Sequence, residues 1–174
     1  MNIRPLQRAE IRFIWQIDRR EMVKNIYHLD HGDLVLKPGY FDMQGWPPGE
    51  ADLYTPILLD CYDRGGIFWG GFENEALVGV AILESEFIGM KHDTLQLKFL
   101  HVSRDYRGRG IASALFHRAV EGARLLGAKK LYISATPSEH TINYYLRLGC
   151  VLAAEIDPEL FALEPEDIHL EFAI

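Results

Sequence analysis

Residues 95–149, LQLKFLHVSRDYRGRGIASALFHRAVEGARLLGAKKLYISATPSEHTINYYLRLG, decide how this chain folds. They read as strand, tight basic loop, long helix, second strand and second helix. The loop is Arg107-Gly108-Arg109-Gly110-Ile111-Ala112. Its glycines let the backbone turn sharply and leave nothing in front of the N–H groups. The helix that follows points its unpaired N–H groups and positive dipole end into the same turn. With Arg107 and Arg109 beside it, such a nest suits a doubly charged anion such as a pyrophosphate. At about 100° per residue, Ile111, Ala112, Leu115, Phe116, Ala119, Val120, Ala123 and Leu126 share one half of the helix. Ser113, His117, Arg118, Glu121 and Arg124 share the other, so His117 reads as a surface residue. Gly127 is a suitable residue to end the helix.

Outward from this stretch, Lys129 to Ala135 is the second strand. Thr136-Pro137-Ser138-Glu139 resembles a capping box with proline at the first helical position. The helix it opens places Thr141, Ile142, Tyr145, Leu146 and Leu148 on one face. Upstream, Ile67–Phe72 and Ala76–Leu83 flank Glu73-Asn74-Glu75 and read as an antiparallel hairpin. Ile3 to Leu6 reads as a short strand, Gln7 to Arg20 as a helix anchored by Trp15, and Glu50 to Arg64 as a second helix. Thr55-Pro56 is an alternative start for that helix. Residues 27–54 carry Gly32, Pro38-Gly39, Gly45 and Pro47-Pro48-Gly49 and look too punctuated for a core element. Asp167 to Phe172 alternates like a closing strand. The expected fold class is α/β, a mixed, mostly antiparallel central sheet flanked by helices.

Composition sets limits. The chain has 174 residues, 48% hydrophobic and 25% charged, which suits one globular domain with a real core. A formal net charge of −7 argues against general nucleic-acid binding. Cys61 and Cys150 lie far apart and outside metal-ligand spacing, so neither a disulfide framework nor a metal site is expected. No leader-like apolar run and no membrane-spanning stretch is evident, so a cytoplasmic location is expected.

Arg107-Gly108-Arg109-Gly110-Ile111-Ala112 matches the Arg/Gln-x-x-Gly-x-Gly/Ala signature of the GNAT superfamily of acyl-CoA N-acyltransferases. Tyr144-Tyr145-Leu146-Arg147-Leu148-Gly149-Cys150 resembles a second family element, aromatic-Tyr-x-x-x-Gly-Phe, with Cys150 in place of the usual Phe. Ser138 stands where many relatives carry an Asn that touches the pantetheine arm. The good match covers roughly residues 95–152. The resemblance implies one N-acetyltransferase domain over 1–174, with acceptor-side helices and loops in 1–66, the sheet and cofactor motifs in 67–152, and a closing strand region in 153–174. It also implies that two central strands splay apart and take acetyl-CoA between them. The backbone of Leu100, His101 and Val102 would then bond the acetyl-pantetheine arm, and the N–H groups from Arg107 to Ala112 would hold the pyrophosphate.

Amide-forming transfer needs a neutral amine, a polarised thioester carbonyl and a proton for the leaving thiolate. A strand N–H can polarise the carbonyl without any particular side chain. Tyr145 matches the family tyrosine near the CoA sulfur and is the expected proton donor, acting through a hydrogen bond. Some relatives carry a Glu on the strand before the loop, where this chain has Gln96. The base therefore stays open among Glu84, Glu86, His101 and a water chain. Asp30, Asp33, Asp42, Glu50 and Asp52 stand against a single Lys37 in residues 28–54, with Tyr27, His28, His31, Tyr40 and Trp46 nearby. That acid and aromatic mixture suits a cationic amine. The expected function is acetyl transfer from acetyl-CoA to a primary amine of a small molecule. Acetylation of a protein N-terminus or lysine, and an acyl-CoA-binding regulatory module without turnover, are the alternatives. A homodimer is left open.

Overall fold

The computed structural model describes residues 1–174. Its centre is a seven-stranded sheet of β1 (Asn2–Pro5), β4 (Ile67–Glu73), β5 (Ala76–Ile88), β6 (Thr94–Val102), β7 (Lys130–Ala135), β9 (Ile168–Ala173) and β8 (Val151–Leu152), in that spatial order. Every neighbouring pair is antiparallel except β6 and β7. This is the mixed, mostly antiparallel sheet expected from the apolar runs. β5 is buried from Leu77 to Glu84 on both faces, which is why its sequence is a continuous apolar run and not an alternation.

The helix α2 (Ile111–Leu126) starts and stops where its periodicity places it, with Gly110 and Gly127 both left-handed at its ends. Leu115, Phe116, Ala119 and Ala123 pack with Leu83, Leu95, Leu131 and Ile133 on one face of the sheet. Two strand glycines allow its N-terminus to come close. A Cβ on Gly79 would stand 3.1 Å from Leu115 Cδ1, and one on Gly71 would stand 3.3 Å from Ile111 Cγ2. The opposite face is covered by a 3-10 helix (Arg8–Gln16) and by α1 (Glu50–Asp63), through Ile11, Ile14, Leu58 and Cys61 against Phe68, Val80, Ile82 and Phe99. Trp15 is anchored there, its Nε1 donating to Thr55 Oγ1 at 2.9 Å.

Four local expectations need correction. The segment read as irregular forms a long hairpin, β2 (Glu21–Asp30) and β3 (Asp33–Met43), turning on His31 and Gly32, both at positive φ. It leaves most side chains exposed, so its sequence lacks a buried apolar stripe. Its register is set from outside: Tyr27 N–H donates to Pro137 O at 2.8 Å and Tyr27 OH to Asn143 Oδ1 at 2.8 Å. The second helix, by contrast, begins at Glu50 as expected, and the alternative start at Thr55-Pro56 is not used, since Pro56 lies within it. Ser138, not Thr136, caps α3 (Glu139–Arg147), and Leu146 is exposed where the wheel placed it inward. Finally, a short helix α4 (Pro158–Leu163) precedes the closing strand, capped by Asp157 through the Glu159 and Leu160 N–H groups. Asp-Pro at its start is a sequence signal for that cap.

The feature that positions the site is the limited pairing of β6 with β7. It covers only Thr94–Gln96 against Lys130–Tyr132. Beyond Gln96 the two strands part, and the edge of β6 facing β7 is left without a partner strand. A bulge adds to the divergence: Leu97 opposes Leu83 and Phe99 opposes Ile82, so Lys98 is the extra residue.

Candidate active site

A cleft of about 380 Å³ fills the gap between the diverging strands. Leu97 to Val102 form one wall, Ser134, Ala135 and Thr136 the other, and Gly108, Gly110, Ile111 and Ala112 one end. Thr141, Tyr144 and Tyr145 of α3 close it from the side.

The strand backbone is oriented by its register. Ser103 N–H donates to Val78 O at 2.8 Å, which makes that pair and each second pair along β5 and β6 hydrogen-bonded. Leu100 and Val102 fall in the alternate positions, so their N–H and C=O groups aim into the gap. The Leu100 pair is free. The Val102 carbonyl accepts from Arg107 Nε at 3.0 Å.

This arrangement revises the expected anion receptor. Arg107 turns back on the end of β6, with its guanidinium also 3.5 Å from Glu21, and its own N–H donates to Arg104 O at 3.2 Å. Arg107 therefore fastens the turn, and the unbonded N–H groups run from Gly108 to Ala112. Gly108 and Gly110 have φ of 72° and 79°, and a Cβ at either would meet nothing within 4 Å. The turn is thus open and lined by donors. Arg109 is exposed, with its guanidinium 5.1 Å from the Tyr106 ring, and supplies the free positive charge. An unpaired strand edge leading to an open donor-lined turn at a helix N-terminus fits an extended pantetheine arm ending in a pyrophosphate.

Ser138 is a correction. It is 3% exposed, its Oγ accepts from Thr141 N and donates to Thr141 Oγ1, and it does not reach the cleft. Capping consumes its hydroxyl, and Thr141 lines the cleft instead.

Tyr145 does reach the cleft. Its ring lies among Phe116 and Tyr144, and its side chain lines the cleft. Burial, with smaller contributions from Tyr144, Cys150 and Asp167, raises its pKa and keeps the phenol protonated. The Tyr144 hydroxyl is also buried, near Ser113 but without a hydrogen bond, and burial pushes it up to about 12.

Two of the base candidates lie off the cleft. Glu84 is bound to Arg64 at 3.0 Å and Lys98 at 3.5 Å. Burial works to raise its carboxyl, but the Ser85 N–H and those two cations outweigh it and hold it low. Glu86 is exposed and pairs with Arg64. His101 lines the cleft between Trp46 and Phe99, with ring centroids at 5.0 and 5.2 Å. Burial first, then Arg19 and Arg107, lowers its pKa well below the usual histidine range, so it is neutral and weakly basic.

The acidic wall also differs from expectation. Asp30, Asp33, Asp42 and Asp52 are exposed and off the cleft, and only Glu50 of the expected five lines it. The other carboxylates on the cleft lining are Glu21, Glu164 and Asp167, and Arg19 and Tyr54 line it too. Arg19 is 3.6 Å from Glu50 and lies 4.4 Å over the Trp46 ring. It is held there because Asp18 N–H donates to Ser103 Oγ at 3.0 Å and Arg104 N–H to Asp18 O at 2.9 Å. Glu50 is raised by burial against the pull of Arg19. Glu164 and Asp167 carry no motif; only the fold brings them here.

A splayed sheet with an open anion turn at one end and carboxylates at the other defines an acyl-CoA-dependent transferase. Residues 21–150 match the family model described as the Acetyltransferase (GNAT) family. The chain belongs to that family and is an acyltransferase. It is 23% identical over 164 residues to the spermidine N(1)-acetyltransferase of Escherichia coli K12, spanning 92% of this chain and 78% of that enzyme. Among solved structures, a nourseothricin acetyltransferase superposes with a TM-score of 0.75 at 17% identity, over 99% of this chain and 97% of that one. A putative streptothricin acetyltransferase from Bacillus anthracis str. Ames, in complex with acetyl coenzyme A, gives 0.72 at 13%, over 99% and 98%. No helix is long and apolar enough to cross a membrane.

Proposed function

We propose that this enzyme transfers the acetyl group of acetyl-CoA to a primary amine of a small cationic molecule. The observation that carries the reading is the continuity of the cleft from the open turn at Gly108–Ala112, along the unpaired edge of β6, to the carboxylates Glu50, Glu164 and Asp167. The similar proteins named for spermidine and streptothricin acetylation support a basic amine as acceptor.

In this mechanism the donor lies along β6 with its pyrophosphate on the N–H groups of Gly108 to Ala112 and the charge of Arg109. The Leu100 N–H and C=O bond the arm. An N–H on the free β6 edge polarises the thioester carbonyl, and the low-dielectric cleft strengthens that bond. The neutral amine attacks, the C–S bond breaks, and the thiolate takes a proton from the Tyr145 hydroxyl. Tyr145 recovers it from the former amine nitrogen through water. The test is a panel of amines with acetyl-CoA, read by release of free thiol. Thiol release with basic primary amines is expected; none with any amine, in protein that binds acetyl-CoA, refutes turnover.

A further inference from the structure

The acceptor must lose its ammonium proton before it attacks, and the residues first considered do not account for that step. Glu84 is held by two cations, Glu86 points to water, and His101 is a weakened base. Of the other proton acceptors on the cleft, Glu21 pairs with Arg107 at 3.5 Å and His140 is exposed, which leaves Glu50, Glu164 and Asp167.

Two of these are fixed by the closing strand. Asp167 immediately precedes β9, whose first residue Ile168 lies opposite Ala135, so Asp167 sits beside the cleft wall formed by Ala135 and Thr136. Its N–H donates to Glu164 O at 3.2 Å, which keeps both residues on one turn and both carboxylates on the cleft. Tyr145 lines the same cleft, so the carboxylate shares a cavity with the proposed proton donor.

We propose that Asp167, paired with Glu164, is the general base that takes the proton from the acceptor's ammonium group. The inference rests on the acetyl-transfer reading above. The N–H bond of the ammonium breaks, its proton goes to an Asp167 oxygen, and the electron pair stays on nitrogen to form the new C–N bond. Release of that proton to water after product leaves restores the carboxylate.

The surroundings suit the task. Burial first, then the neighbouring Glu164 charge, raises the Asp167 carboxyl to about 7, opposed by Arg19. Other groups facing this corner are Glu50 and Tyr54 of α1 and Tyr145 of α3, with Tyr27 and His28 of β2, Glu166 and His169 around an adjoining cavity that Asp167 also lines. An ordinary carboxylate near pKa 4 is a poor acceptor for an ammonium proton, whereas one near neutrality is well matched.

The experiment uses the full chain and three variants, Asp167→Asn, Glu164→Gln and Glu50→Gln. Carboxyl ¹³C NMR of aspartate-labelled protein should show one resonance titrating above about pH 6, outside the usual aspartate range, and absent in Asp167→Asn. With an amine that wild type acetylates, kcat/KM should fall on the acidic side of the same pH. Glu164→Gln should move that limb to lower pH, because the like charge is gone. Asp167→Asn should lower kcat by about 10²-fold with acetyl-CoA affinity unchanged. Glu50→Gln should raise the acceptor KM while leaving the acidic limb tied to Asp167. If every aspartate titrates in the ordinary range, or if Asp167→Asn turns over like wild type, the assignment of the base is overturned and acetyl transfer stands. If wild type releases no thiol with any amine, the acetyl-transfer reading falls and the base with it.

Discussion

Replacing Tyr145 by Phe separates chemistry from packing more cleanly than any other change in the cleft. The ring packs against Phe116 and Tyr144 at centroid distances of 6.4 and 5.3 Å, and Phe keeps both contacts. The hydroxyl has no protein partner, so no hydrogen bond of the usual ~1 kcal/mol is lost. Folding stability should therefore stay within about 0.5 kcal/mol of wild type. A general acid contributes about 10²-fold or more, so kcat should fall by at least that factor, equivalent to ~2.7 kcal/mol of barrier. Burial raises the phenol pKa, so the donor stays protonated through the alkaline range and gives wild type no alkaline limb of its own. The measurements are kcat from thiol release, acetyl-CoA affinity by calorimetry, and Tm. Unchanged kcat in a folded Tyr145→Phe variant would remove the proton-donor role and leave the fold untouched. Tyr145→Ala is the contrast: loss of a buried ring should cost ~3–5 kcal/mol and lower Tm whatever the chemistry.

Gly110→Glu places bulk and negative charge in the open turn, at a left-handed residue, and should abolish CoA binding by calorimetry; unchanged affinity in folded protein would refute the donor site. Ser138→Ala should cost about 1 kcal/mol as a lost helix cap, with CoA affinity unchanged; a large affinity loss at constant Tm would restore a cofactor role. Gly79→Val should destabilise by ~1–3 kcal/mol by pushing on Leu115 and Ile111 at the start of α2, seen in denaturant unfolding; a neutral result would refute the close packing there. The Asp167 carboxyl binds its proton more tightly folded than unfolded, so it subtracts stability as pH rises from about 4 towards its folded pKa. Asp167→Asn should therefore raise Tm at pH 8 and do little at pH 4; equal effects at both would show an unshifted carboxyl.

The sequence by itself determined the elements whose signals are local. α2 is legible because its apolar residues recur with helical period and glycines stand at both ends. The open turn is legible because Gly108 and Gly110 permit backbone angles that other residues resist. β4, β5, β6 and β7 are legible as apolar runs bounded by turns. The hairpin of β2 and β3 escaped because most of its side chains face water, although the Asp30-His31-Gly32-Asp33 turn between apolar-rich arms was a usable sign.

Tertiary structure decided everything that depends on which groups meet. Arg107 and Arg109 look equivalent in the chain, yet only the path of β6 presents the Val102 carbonyl to Arg107 and leaves Arg109 free. Ser138 lies in the motif region, yet the start of α3 turns its hydroxyl into a cap. The acidity of the cleft joins Glu21 and Glu50 to Glu164 and Asp167, which lie more than a hundred residues further along the chain. Their convergence comes from β9 pairing beside β7 while β7 diverges from β6. Charge proximity of that kind follows from distances in space, and a linear pattern of residue types carries no record of them.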